Sequence, residues 1–177
     1  YVTDMNMRDM IELYDARMAI ECEAAALCAE KASPDAIQRL DELAAEFKRA
    51  VAMTDGNRLK DTDMPFHQLI VESSGNKYLI RSYRELLPNL TMYQGSWPKF
   101  IPPEGENPWS SQVVHQHGAI VSAIKLHIPS LARQSMAEHI RSSLNFVAYS
   151  DTTDDPFWIV KRSAEKQRAK PEASSQR

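Results

Sequence analysis

Apolar residues recur every three or four positions along most of the chain, and stretches of strict polar and apolar alternation are few. That period is the stripe of a helix buried on one face, so the pattern predicts an all-α chain. The first stripe, about 8 to 31, carries Met10, Leu13, Tyr14, Arg17, Met18 and Cys22. Ser33 is placed to cap a second helix through "DAIQRLDELAAEFKRAVAM", with Pro34 at its first position and Asp35 in its first turn. "TDGNR" ends it, and Gly56 is the candidate for a left-handed cap. A third helix is predicted over about 58 to 73, "SSGNKY" breaks the chain, and a fourth runs through "LIRSYRELLPNLTMY". Pro65 and Pro88 should kink the third and fourth, since each removes a backbone hydrogen bond.

"SWPKFIPPEGENPW" reads as a connector. Ser110 or Ser111 is the expected cap of a fifth helix, "SQVVHQHGAIVSAIKLH", and Pro129 lies near the start of a sixth, "PSLARQSMAEHIRSSLNFVAYS". The expected architecture is an antiparallel bundle of about six main helices over residues 8 to 150. Beyond residue 150 the composition turns polar and reads as a tail. No internal repeat is visible.

Composition narrows the function classes. A chain of 177 residues with 43% hydrophobic and 25% charged content suits one soluble domain with a single core. No apolar run approaches the roughly 18 residues needed to cross a bilayer, and no secretory leader is recognisable, so a cytoplasmic protein is expected. A formal net charge of −3 argues against a free-standing nucleic-acid binder. Cys22 and Cys28 lack redox or zinc spacing and read as core thiols.

Candidate chemistry sits on the buried stripes. In "DTDMPFHQLI", Asp63 and His67 are one helical turn apart on an otherwise apolar face, where each is costly to bury without a partner. His117 shares its stripe with Val113, Ile120, Val121 and Ile124, and His139 shares one with Ala132, Met136 and Ser143. His115, roughly 200° round the helix from His117, should face elsewhere. Three inward histidines and one carboxylate from three helices suggest a shared divalent metal: zinc foremost, with nickel, manganese or iron also compatible. A lone inward histidine is more often a hydrogen-bonded core residue than a ligand. Here that alternative requires three of the chain's five histidines and an acid to find separate partners.

At these residues the sequence resembles the effector-binding C-terminal domain of the FadR group of GntR-type bacterial transcription regulators. The likeness runs over about residues 8 to 150. It is carried by "ELYDARMAIE", "DMPFHQLIVESSGNKYL", "QHGAIVSAI" and "MAEHI", in that order. Gln116, where the family often has Glu, and His127 with Pro129, in place of a Gly-Asp style turn, depart from the pattern. The resemblance implies a metal held by Asp63, His67, His117 and His139. It also implies an N-terminal winged helix-turn-helix, of which only "YVTD" resembles a remnant, so residues 1 to 7 are expected to be interdomain linker.

Four protein ligands leave open coordination positions and a net positive charge, which favours an anion. The resemblance implies a small organic acid or sugar acid as effector, with Arg17 pairing to one of its oxygens; an exposed ion pair of Arg17 with Asp15 or Glu21 is the competing reading. Arg81, Tyr83, Arg84, Asn89 and Tyr93 on the fourth helix are further effector-binding candidates. Regulation would then be a population shift in a homodimer, transmitted to DNA through the N-terminal domain. No catalytic residue is assigned. A metal-dependent hydrolase or oxygenase is the alternative, disfavoured because His-Glu-x-x-His is missing and no spare acid or base stands out. A structural metal clamp in an interaction module is the third reading.

Overall fold

A computed structural model describes residues 7–53, 55–94 and 108–150. The predicted linker, apart from Met7, the tail after residue 150 and most of the "SWPKFIPPEGENPW" connector lie outside the described residues. Six helices account for nearly all of what is described: α1 (Met7–Lys31), α2 (Pro34–Ala52), α3 (Gly56–Ser73), α4 (Lys77–Gln94), α5 (Pro108–Lys125) and α6 (Pro129–Ser150). They form the antiparallel bundle that the apolar period predicts.

α1 is the central element and packs against α3, α4, α5 and α6. Its alanines and cysteines explain this. Ala24, Ala25, Ala26, Cys28 and Ala29 are all buried, and such small side chains let several neighbours approach one backbone. α2 leans on α3 and α5, closing the core with Leu40, Leu43, Phe47 and Ala50. Both cysteines are free and buried, and burial pushes the thiols up, Cys22 to about 11 and Cys28 to about 12.

Helix ends follow local chemistry, with two departures from the sequence reading. Ser33 caps α2 as expected, its hydroxyl accepting from the Ala36 N–H at 3.2 Å. Gly56 does not cap α2. It opens α3, and the side chain of Asp55 accepts from the Arg58 N–H at 3.1 Å, while Met53 ends α2 in a right-handed conformation. Ser110 and Ser111 do not cap α5 either, because Pro108 begins it and draws Trp109 in from the predicted connector. Trp109 then stacks on Phe146 of α6 with ring centroids 4.3 Å apart. α3 and α4 run on through Pro65 and Pro88.

The two tight corners differ. After α3, Gly75 at φ +64° takes the left-handed position, and Asn76 caps α4 by accepting from the Tyr78 and Leu79 N–H groups. After α5 the same position is held by His127 at φ +53°. The Ile128 N–H reaches the Ala123 carbonyl at 3.1 Å and the His127 N–H the Ile124 carbonyl at 3.0 Å, a Schellman closure without glycine. The His127 Nδ1–H donates to the Ala29 carbonyl at 2.7 Å, which secures this turn to the end of α1.

Candidate metal centre

Among the described residues, the buried carboxylates, histidines and guanidinium collect in one place: Arg17 and Glu21 from α1, Asp63 and His67 from α3, His117 from α5 and His139 from α6. Periodicity puts these groups on buried faces, and helix packing brings the faces together. Asp63 and His67 share a face one turn apart, and the α5 and α6 stripes bring His117 and His139 against it. One ligand atom from each of Asp63, His67, His117 and His139 lies within 4.8 Å of the others.

The pairwise distances are shorter still. His67 Nε2 is 3.1 Å from His139 Nε2, His117 Nε2 is 3.4 Å from Asp63 Oδ1, and His67 Nε2 is 3.9 Å from the same oxygen. Donors held at about 2.0 to 2.2 Å from one ion are themselves separated by about 3 to 3.5 Å, so the spacing fits a common ion. The tautomers say more. Glu21 Oε2 lies 2.5 Å from His67 Nδ1, and a carboxylate can only accept, so Nδ1 carries the donated proton and Nε2 is the nitrogen turned to the cluster. Gln116 Oε1 lies 3.3 Å from His139 Nδ1 and faces the outer nitrogen of that ring in the same way. The two Nε2 atoms therefore face each other at 3.1 Å, a spacing at which one cation would take both as ligands.

His117 is held differently. Its ring stacks on Phe66 at 4.4 Å and packs against Phe47 at 4.6 Å, and its Nδ1 has no hydrogen-bond partner. Burial lowers the basicity of His117 and lowers that of His139 strongly, keeping both rings neutral and ready to donate electron pairs. Burial alone would raise the Asp63 carboxyl; the His117 hydrogen bond and the neighbouring histidines hold it well below the usual carboxylate range instead.

Arg17 is not an exposed ion-pair partner. Its Nε donates to Glu21 Oε1 at 2.7 Å with both side chains buried, and its guanidinium lies over the Tyr14 ring at 5.1 Å. Burial opposes the Glu21 charge, yet Arg17 and His67 bring that carboxyl down to about 2. Two polar groups beside this chain are buried without a hydrogen-bond partner: Arg17 Nη2 and the Tyr83 hydroxyl.

The α4 candidates divide. Tyr83 is buried and close enough to Glu21, Arg17 and Asp63 to feel their charges. Arg81, Arg84 and Asn89 are exposed, and Arg84 faces Glu72 at 4.0 Å, so these three are not brought to the cluster. The Tyr93 side chain lies outside the described residues. Glu21, the partner that orients His67, was missed as a site residue. Its signal was its place in the stripe Leu13, Arg17, Glu21, Ala24 and Cys28, where a second buried charge needs a reason.

The FCD domain family model matches residues 12–142. Among solved structures, the chain is similar to Escherichia coli McbR/YncC, with TM-score 0.76 and 18% identity over 84% of this chain and 72% of that one. It is also similar to Streptococcus agalactiae GntR, with TM-score 0.60 and 25% identity over 76% of this chain and 57% of that one. No curated protein matches it in sequence.

Proposed function

The chain belongs to the FCD domain family, the C-terminal effector domains of GntR-type transcription regulators, and from that membership we propose that it senses a small carboxylate or sugar acid through a bound divalent metal. Asp63, His67, His117 and His139 would hold the metal, with zinc foremost. When bound, the ion supplies a Lewis-acidic, positively charged point at which an anion can chelate. The observation that carries the reading is the buried cluster of four ligand atoms, with His67 Nε2 and His139 Nε2 3.1 Å apart and Glu21 and Gln116 against the outer nitrogens of the two rings.

The protein's own groups complete the site. Arg17 is already neutralised by Glu21 through Nε, and Nη2 remains to pair with an effector oxygen. Tyr83 offers a hydroxyl to the same molecule. Arg81, Arg84 and Asn89 belong to this proposal only if the effector extends to the α4 surface. Effector binding would shift the population of a homodimer whose N-terminal domains read DNA in the cytoplasm. The family is regulatory, and no catalytic residue is assigned in this reading. Among those residues no helix is long and apolar enough to cross a membrane.

The test is elemental analysis of protein purified without a nickel step, followed by calorimetric titration of carboxylates into metal-loaded protein. One metal per chain in the wild type, lost in a His117→Ala, His139→Ala double variant, with saturable carboxylate binding and no product, supports the sensor. Metal in both proteins, or none in either, overturns the metal assignment. Metal without anion binding turns the reading into a structural clamp.

A further inference from the structure

The charges enclosed with the metal site can be summed. Among the described residues the buried groups that carry a fixed charge are Arg17, Glu21 and Asp63. The three histidines present unprotonated nitrogens to a metal, and burial holds the Tyr14 and Tyr83 phenols in their neutral form by raising both, Tyr14 to about 12. Arg17 contributes one positive charge and Glu21 and Asp63 one negative charge each, so a divalent ion brings the enclosed sum to one positive charge. Arg84 and Glu72, paired across the outer side of α3 and α4, are solvent-exposed and screened.

We propose that this site is matched to a monoanionic effector, a hydroxylated monocarboxylate, and discriminates against the corresponding dicarboxylate. The inference rests on the metal-dependent sensor reading above. Its physical basis is that an enclosed, low-dielectric site tolerates a neutral total and penalises an uncompensated charge. A monocarboxylate brings the sum to zero. In this proposal its carboxylate would meet the metal or Arg17 Nη2 and a hydroxyl would meet the Tyr83 phenol, so that both unpartnered buried groups would acquire partners. A dicarboxylate leaves one negative charge over, with no second buried cation among the described residues to receive it.

Glu21 sets the preference. It cancels Arg17 through Oε1 while orienting His67 through Oε2, so the guanidinium is present as a hydrogen-bonding fork without adding a net charge. Without this carboxylate the site would sum to two positive charges and suit a dianion.

The experiment is calorimetric titration of the zinc-loaded protein with two matched pairs: glycolate against tartronate, and gluconate against glucarate. Within each pair the molecules differ by a second carboxylate. We expect the monoanion of at least one pair to bind about tenfold or more tighter than its dianion. Glu21→Gln, with zinc content verified, should shift that ratio by about tenfold or more toward the dianion; Arg17→Gln, which lowers the sum by one, supplies the opposite sign test if the first variant loses zinc. A dianion preference in the wild type, or a ratio indifferent to both substitutions, overturns the charge matching and leaves the sensor standing. If none of the four anions binds zinc-loaded protein, both the matching and the sensor reading fall.

Discussion

Glu21 of α1 and His67 of α3 meet at 2.5 Å across the bundle, and the same carboxylate takes the Arg17 guanidinium on its other oxygen at 2.7 Å. One buried acid therefore fixes the tautomer of a candidate ligand and the position of a candidate anion receptor. Removing it should disturb both.

Replacing Glu21 with Ala leaves Arg17 buried and unpaired and frees the His67 ring. We expect a loss of about 3 to 5 kcal/mol of stability, read by urea unfolding, because a buried charge loses its partner. Glu21→Gln keeps the shape and should cost less stability while weakening metal binding about 10- to 100-fold in a competition titration with a chromophoric chelator. Unchanged metal affinity in Glu21→Gln would remove this residue from the metal centre.

Acid should destabilise the metal-free protein in two stages of one sign. His117 and His139 are less basic folded than unfolded, so the unfolded chain binds more protons below the usual histidine value of 6.5 and stability falls as pH drops through that value. Asp63 and Glu21 have carboxyls held below their usual values of 3.8 and 4.5, so their contribution is present above those values and is lost toward about 2 for Glu21. The melting temperature of chelator-treated protein should be flat between pH 7 and 8 and decline steadily below 6.5. A rise in stability between pH 6.5 and 5 would contradict the burial of neutral rings.

Metal removal should lower stability without abolishing the fold. The apolar core runs along the bundle, from Met10, Trp109 and Phe146 at one end to Ala29, Ile124 and Ala132 at the other, and does not depend on the four ligands. With free metal at 100 times its Kd, the bound form gains about 2.7 kcal/mol, which chelation should reverse while the helical circular dichroism persists. Loss of helical signal on chelation would instead identify a structural clamp.

His127 combines an unfavourable backbone conformation with a useful side chain. His127→Ala keeps the left-handed φ but deletes the bond to the Ala29 carbonyl, and we expect it to cost about 1 to 2 kcal/mol in urea unfolding. His127→Gly relieves the backbone while losing the same bond, so it should be less destabilising than Ala. The reverse order would mean that the backbone at this corner is not what the histidine works against.

Much of the fold is written in local chemistry. The three- and four-residue spacing of apolar side chains determined six helices and their buried faces, and it placed Asp63, His67, His117 and His139 on those faces, because a helix's periodicity depends only on its own residues. Helix ends were less legible. Gly56 and Ser110 have the right residue types for caps, but Asp55 and Pro108, which compete for the same ends, satisfy the first turn better.

What tertiary structure alone decided is which partner each buried polar group meets. Arg17 and Glu21 look like an ordinary surface pair four residues apart, and only the packing of α1 against α3 desolvates them and turns Glu21 toward His67, 46 positions away in sequence. Packing likewise left Arg81, Arg84 and Asn89 in solvent while burying Tyr83 on the same helix. Sequence period fixes a side chain's angle around its own axis; the crossing of two helices fixes what lies opposite, and that depends on the volumes of every residue between them.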